Sequence, residues 1–187
     1  MPHIPFAQID RSWSLFLDRD GVINERLPGA YVTHWGQFVF LPGVPSAMAH
    51  FRSRFGRMVV VTNQQGVGKG LMRPADLAAI HDRMSTELVA AGARLDGIYA
   101  CPDLRDQPHN CRKPAPALGQ QAQRDFPDID FARTIMVGDT PGDLAFGRNL
   151  GMYTVWVSGT EAPPPTELYD LQVTGLAELA ARLGATS

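Results

Sequence analysis

Phe16-Leu17-Asp18-Arg19-Asp20-Gly21-Val22-Ile23-Asn24 decides how this chain is read, because an apolar run from Trp13 to Leu17 delivers two carboxylates one residue apart. The run has the length and composition of a buried strand, which puts Asp18 at its carboxyl end. In an open α/β sheet, ligands bind in the crevice outside the strand ends. Strand side chains alternate with a period of two, so Asp18 and Asp20 would share a face if the strand continued. Gly21 then lets the chain turn away. Two carboxylates converging on one point can divide nucleophilic and acid/base work or hold a hard cation. A polar turn closing a core strand shows the same short pattern, so other segments must decide between the two.

Three segments do so. Arg57-Met58-Val59-Val60-Val61-Thr62-Asn63-Gln64 is a second β-branched run, ending in a hydroxyl and two amides. Cys111-Arg112-Lys113-Pro114 sets two cations ahead of a helix that Pro116 can open at its first position. Thr134-Ile135-Met136-Val137-Gly138-Asp139-Thr140-Pro141-Gly142-Asp143 is another buried strand, delivering Asp139 and then Asp143 at a helix start. In chain order the segments offer a carboxylate pair, a hydroxyl with an amide, an ammonium and a second carboxylate pair. Phosphoryl transfer through an aspartyl intermediate needs those parts: a carboxylate nucleophile, a carboxyl as acid/base, donors for phosphate oxygens and acidic ligands for a magnesium ion.

Strand and helix patterns alternate along the chain. Val44, Ala47, Met48, Phe51 and Phe55 recur at helical spacing, predicting a helix over Pro45 to Phe55. Arg57 to Thr62 is the second strand. Leu77, Ile80, Met84 and Leu88 mark a helix that Pro74 opens and Gly92 closes. A strand follows over Leu95 to Ala100, then a helix over 116–126, a strand over Thr134 to Val137, a helix over Pro141 to Leu150, and a strand over Tyr153 to Val157. After the Pro-rich stretch Ala162-Pro163-Pro164-Pro165, an edge strand near Leu171 and a last helix over Leu176 to Leu183 are expected. This βαβ series predicts an α/β, Rossmann-like three-layer sandwich: a mainly parallel sheet of five or more strands with helices on both faces, forming one domain over residues 1–187.

From about Leu15 to Val157 the chain resembles the haloacid dehalogenase superfamily of phosphatases. Within it, the chain resembles the small capless branch that includes heptose-bisphosphate and histidinol-phosphate phosphatases. The first family motif is matched by Asp18-x-Asp20-Gly21-Val22-Ile23-Asn24, and the second by Thr62 with the Asn63-Gln64-x-Gly66-Val67 extension of that branch. The third is matched by Arg112-Lys113-Pro114, and the fourth by Gly138-Asp139-x-x-x-Asp143. The resemblance implies a Mg²⁺-dependent phosphatase in which Asp18 is the nucleophile and Asp20 the acid/base. Thr62, Asn63 and Lys113 would hold phosphate oxygens, Arg112 would help bind substrate, and Asp18, Asp139 and the backbone carbonyl of Asp20 would take the metal. Asp143 is expected to steady Lys113 or a metal-bound water. Hard oxygen ligation suits Mg²⁺, and the cation relieves the repulsion among Asp18, Asp20, Asp139 and Asp143.

Both sites where relatives insert a cap are short here. Glu25 to Leu41 has room for a flap with Pro28-Gly29 as its turn, and Gln64 to Leu95 holds one loop and one helix. An open site is expected, with specificity from Arg26 and His34 in the flap, Lys69 and Arg73 after the second strand, and Arg112. Gly66-Val67-Gly68-Lys69-Gly70 lacks both the spacing and the following hydroxyl of a nucleotide-binding loop.

Capless relatives often carry a zinc loop before the third motif. The corresponding residues are Cys101, Asp103, His109 and Cys111, with Asp for one expected His and His for one expected Cys. Cys, His and Asp all bind Zn²⁺, although closed structural sites prefer sulfur and nitrogen; the alternative is two reduced thiols in a loop. His3, His50 and His81 are expected to pack or to face solvent.

At 187 residues, 44% hydrophobic, with a net charge of −2, the chain suits a soluble enzyme domain and lacks the basic stripe of a nucleic-acid binder. No stretch approaches the ~20 apolar residues of a membrane span, and Met1 to Arg11 lacks the order of a signal peptide. The cytoplasm is the expected address, a small phosphorylated metabolite the expected partner, and a monomer or small homo-oligomer the expected state. A sugar bisphosphate, heptose bisphosphate foremost, is the expected substrate, with histidinol phosphate or a nucleotide as alternatives. A polynucleotide-end phosphatase and a non-catalytic, receiver-like phosphate binder stay open; Asp20 counts against the latter, since receivers lack that second carboxyl.

Overall fold

The structure is a computed structural model that describes residues 4–159 and 162–184; His3 lies outside them. The β-branched runs become strands because their residues are apolar on both faces, as a sheet covered on both sides requires. They are β1 (Ser14–Leu17), β2 (Arg57–Asn63), β3 (Gly97–Cys101), β4 (Thr134–Gly138), β5 (Tyr153–Val157) and the short edge strand β6 (Leu171–Val173). All pair in parallel, in the order β3-β2-β1-β4-β5-β6. β1 lies between β2 and β4, with Leu17 opposite Val60 on one side and Val137 on the other. The chain winds outward through β2 and β3, then starts again at β4. This reversal opens the crevice at the ends of β1 and β4, where doubly wound sheets bind ligands.

The helices are α1 (Val44–Arg54), the single turn α2 (Gln65–Gly68), α3 (Pro74–Ala90), α4 (Ala117–Asp125), α5 (Pro141–Asn149) and α6 (Leu176–Gly184). Strand alternation sorts the core into two layers. Leu15, Leu17, Val60 and Val137 pack with Phe51 of α1, Leu88 of α3 and Leu179 of α6. Phe16, Val59, Val61 and Met136 pack on the other side with Leu118 of α4 and Phe146 of α5. Fully burying one such side chain contributes roughly 1.5–3 kcal/mol, so the central strands are anchored from both faces.

The expected elements recur with small shifts at their ends. α4 begins one residue later than expected: Pro116 caps it, its carbonyl accepting the first helical bond from Gln120 at 3.0 Å. The turn α2 lies where only a loop was expected. Among the described residues, the segment between β1 and α1 holds no cap, only a flap. Its base is clamped by bonds from Glu25 N to Val39 O (2.8 Å) and from Leu41 N to Ile23 O (3.0 Å), and Trp35 stacks on Phe38 at 4.8 Å. Gly29, at φ 67°, turns the tip. No helix among the described residues is long and apolar enough to cross a membrane.

Candidate active site

The ends of β1 and β4, the start of α5 and the loop before α4 bring Asp18, Asp139, Asp143 and Lys113 to one place. Asp18 continues β1, its N–H bonded to Val137 O of β4 at 2.9 Å. Lys113 arrives from the loop before α4, and its buried ammonium lies 2.8 Å from Asp18 Oδ1 and 2.6 Å from Asp143 Oδ1. Its remaining bond goes to Val61 O at 2.7 Å. Asp143 is fixed in turn by the cap of α5, where Thr140 N and Oγ1 donate to Asp143 Oδ2 at 3.0 and 2.7 Å. A side chain at Gly138 would collide with Asp143, so the close approach of β4 to α5 depends on that glycine.

Burial of the Asp18 carboxyl, reinforced by the charge of Asp143, pushes its pKa up to about 6 despite the attraction of Lys113. Asp143 stays below the ordinary carboxylate value. Burial would raise it, but Lys113 and the Thr140 donors outweigh that. The two carboxylates thus share one ammonium, and Asp18 is the less favoured of the two. Lys113 is likewise held above the usual lysine value, burial being outweighed by Asp143 and Asp18.

Asp20 lines the same cavity inside a cage of donors that the sequence reading missed. Arg19 Nη2 bonds both of its oxygens (2.9 and 3.0 Å), Asn24 Nδ2 reaches Oδ1 (2.9 Å), and Gln64 Nε2 reaches Oδ2 (2.8 Å). Arg19 is itself wholly buried, its other arm 3.1 Å from His81 Nε2 of α3. Burial works to raise Asp20, yet the Arg19 charge and these bonds bring its pKa below the usual value. No local signal announces this cage, because Arg19 lies past the end of β1 and Gln64 comes from the cap of α2.

Asp139, at the end of β4, is pushed up to about 8 by burial and by the charges of Asp18 and Asp143, with Arg26 countering. Arg26 turns inward from the flap and forks onto Asp139, Nε to Oδ2 at 3.0 Å and Nη2 to Oδ1 at 2.8 Å. Gly21, at φ 90°, makes room: a Cβ there would overlap the Asp139 carboxylate. Carboxylate oxygens of Asp18, Asp139 and Asp143 lie within 4.8 Å of one another. This all-oxygen set fits a hard divalent cation. Asp143 is already engaged by Lys113 and Thr140, while the carbonyl of Asp20 lies beside Asp139, both bonded by Arg26 Nη2.

Thr62 lines the cavity, its Oγ1 accepting from Gln64 Nε2 at 2.9 Å and so free to donate its proton. Asn63 clamps the lysine loop, with Lys113 N donating to Oδ1 at 3.0 Å and Nδ2 donating to Lys113 O at 3.3 Å. The cavity, about 1030 Å³, runs from these residues to Tyr31, Lys69, Arg105 and Arg112. Arg105 was not foreseen, and its charge, after burial, helps to hold Arg112 below its usual pKa. His34 and Arg73 do not line the cavity. His34 is exposed on the flap, and Arg73 pairs with Asp76 at the start of α3.

The zinc reading of Cys101, Asp103, His109 and Cys111 is corrected. Cys101, Asp103 and Cys111 present atoms within 4.8 Å of one another, but the two sulfurs are joined in a disulfide. Zinc binds thiolates, and a disulfide has none to offer. His109 is exposed, and Asp103 Oδ2 accepts the N–H of Cys111 at 3.0 Å. The alternative of two reduced thiols is corrected with it. His81 packs as expected, and His50 is half-buried on α1.

A family model described as HAD-hydrolase-like matches residues 110–179, which carry Lys113, Asp139 and Asp143. With this sheet order and this lysine–carboxylate site, the chain belongs to the haloacid dehalogenase-like hydrolases, and its relatives, phosphatases by name, make it a phosphoric monoester hydrolase. Its relatives narrow the comparison. It is 45% identical over 138 residues to a D-glycero-α-D-manno-heptose-1,7-bisphosphate 7-phosphatase of Mycobacterium bovis, covering 74% of this chain and 73% of that one. It is 36% identical over 137 residues to a D-glycero-β-D-manno-heptose-1,7-bisphosphate 7-phosphatase of Bordetella bronchiseptica, covering 73% and 75%. The crystal structure of a D,D-heptose 1,7-bisphosphate phosphatase from B. bronchiseptica, complexed with magnesium and phosphate, matches with a TM-score of 0.83 at 31% identity, covering 94% of this chain and 99% of that one.

Proposed function

We propose that the chain, working as one domain over residues 1–187, is a Mg²⁺-dependent phosphatase that removes the 7-phosphate from a D-glycero-D-manno-heptose 1,7-bisphosphate through an aspartyl phosphate on Asp18. The observation that carries this reading is the far wall of the cavity. Lys69, Arg105 and Arg112 stand there, and the charge of Arg105, after burial, helps to disfavour that of Arg112. A substrate that places a second phosphate at that wall relieves the repulsion. Histidinol phosphate would instead bring a cationic amine there. A nucleotide would need a stacking surface, and Tyr31, the cavity's aromatic side chain, already has Lys69 Nζ 5.3 Å from its ring centre.

Each residue has a derivable task. Held by Asp18, Asp139 and the Asp20 carbonyl, Mg²⁺ would supply positive charge to the phosphate oxygens and align them for in-line attack. Asp18 attacks phosphorus, forming an O–P bond as the bond to the sugar oxygen breaks. Lys113 and the Thr62 hydroxyl donate to the phosphate oxygens as charge shifts onto them. Asn63 holds the lysine loop and has its second Nδ2 hydrogen left for the phosphate. Asp20, ionised in its donor cage, suits the second step, in which it takes a proton from the water that attacks the aspartyl phosphate. For the first step it must carry a proton to the leaving oxygen, and a substrate arriving as its monoanion can bring one, since phosphate monoesters lose their second proton near pH 6.

A charged sugar bisphosphate supports a cytoplasmic address.

The test is phosphate release from both anomers of heptose 1,7-bisphosphate, from histidinol phosphate and from nucleoside monophosphates, with and without Mg²⁺. The expected result is a kcat/KM for a heptose bisphosphate at least about 100-fold above the others, the scale that a set of built polar contacts commands. Equal turnover of histidinol phosphate, or undiminished turnover after thorough metal removal, would overturn the reading.

A further inference from the structure

Arg26 occupies an unusual position for a flap arginine. Its Nη2 lies 2.8 Å from Asp139 Oδ1, 3.0 Å from the carbonyl of Asp20 and 4.0 Å from Asp18 Oδ2, while Nε bonds Asp139 Oδ2 at 3.0 Å. These are the three oxygen-donor groups proposed to hold the divalent cation. One guanidinium therefore reaches every group the cation would use. The side chain is 39% exposed and lines the open cavity, so it has both a way out and a place to go.

Charge makes the same point. Asp18, Asp139 and Asp143 carry up to three negative charges, against one on Lys113 and one on Arg26, leaving a deficit of one. Replacing Arg26 by a divalent cation balances the cluster. Keeping both would put two cations against the same oxygens.

We infer that Arg26 is a built-in competitor for the catalytic cation: it closes the carboxylate cluster when the metal is absent, and it must withdraw from Asp139 and the Asp20 carbonyl for the metal to bind. This rests on the reading that Asp18, Asp139 and the Asp20 carbonyl hold Mg²⁺. The affinity of the protein for the cation is then lower than its oxygen ligands alone would give, and Arg26 changes partners whenever the cation enters.

The experiment is calorimetric titration of Mg²⁺, and of Mn²⁺ in parallel, into the metal-free wild type, Arg26→Gln, Arg26→Lys and Arg112→Gln. Losing a forked, charge-assisted contact should tighten cation binding in Arg26→Gln by about 3- to 30-fold. Arg26→Lys keeps the charge but cannot bridge Asp139 and the Asp20 carbonyl together, so it should also bind more tightly than wild type. Arg112→Gln removes an equal charge from the same cavity without touching the three donors and should show a smaller gain. If Arg26→Gln gains no more than Arg112→Gln, and Arg26→Lys matches wild type, the effect is general electrostatics and the inference is overturned.

A second readout needs no altered protein beyond its assignment control. The ¹⁵Nε signal of Arg26, identified by its loss in Arg26→Gln, should move from a hydrogen-bonded to a solvent-exchanging state as Mg²⁺ saturates the wild type. A signal unchanged at saturation would contradict the inference. A wild type that binds neither cation would overturn the metal reading itself, which separates the two failures.

Discussion

Lys113 Nζ lies 2.8 Å from Asp18 Oδ1 with both side chains buried, and that ammonium is shared with Asp143 at 2.6 Å. Asp18, the proposed nucleophile, is therefore held by a cation that a second carboxylate also claims. Replacing Lys113 leaves two buried carboxylates without their counter-charge.

Lys113→Met is accordingly expected to lower kcat by about 10²–10³-fold, as loss of one transition-state donor does. It should also destabilise the fold by roughly 3–5 kcal/mol at neutral pH, the usual result of breaking a buried pair from one side. Steady-state kinetics and urea unfolding on the same preparation check both. A fold of unchanged stability would contradict the buried pair.

Gly21→Ala tests the geometry that admits Asp139. The backbone there has φ 90°, and the added methyl would meet the Asp139 carboxylate. Strain of this kind costs about 1–3 kcal/mol, and the displaced carboxylate should weaken Mg²⁺ binding. Unaltered affinity by calorimetry would show that Asp139 is not held where the structure has it.

His81 gives a pH dependence with a definite sign. Burial, and then the Arg19 charge beside it, push its pKa down to about 4, so it is neutral in the folded protein while the unfolded chain protonates near 6.5. Its contribution is complete above pH 6.5 and is lost as the pH falls towards 4, at about 1.4 kcal/mol per pH unit and about 3 kcal/mol in all. His81→Gln keeps an acceptor for Arg19 but does not titrate. The stability difference between wild type and variant should therefore shrink, or reverse, from pH 7 to pH 5. Urea unfolding at the two pH values checks this, and a constant difference would contradict it.

Much of this architecture was legible in the chain. Tyr153 to Val157 matches β5 at both ends, because an inner strand of a covered sheet is rich in β-branched and aromatic residues and Gly151 stops the helix before it. Asp18 and Asp139 were legible for a related reason, since each ends a buried run, and Lys113 because it stands beside an arginine just ahead of a helix. The donor cage of Asp20 was not, since Gln64 reaches it from the cap of α2 and His81 of α3 holds Arg19 behind it, and pairings across elements leave no local pattern. The inward turn of Arg26 depends on Glu25 pairing with Val39 across the flap, which also has no local signature. In the loop of Cys101 and Cys111, residue types alone suggested a metal; whether the sulfurs meet each other or an ion depends on how the loop closes.

Asp20→Asn separates acid/base work from mere positioning. The amide cannot give or take the required proton, so turnover of a poor leaving group should fall by roughly 10²–10⁴-fold. A substrate with an activated leaving group needs little protonation, so its first step should be spared while the second is not. Equal losses for both substrates would argue that Asp20 only positions the site.

The central claim, covalent catalysis at Asp18, is tested most directly by rapid-quench trapping in Asp20→Asn with Mg²⁺ and a substrate bearing an activated leaving group, followed by mass spectrometry of the peptide containing Asp18. The account predicts a phosphorylated Asp18 that accumulates within the first turnover and is absent in Asp18→Asn. Phosphate release without any phosphorylated intermediate, or turnover retained in Asp18→Asn, would contradict it.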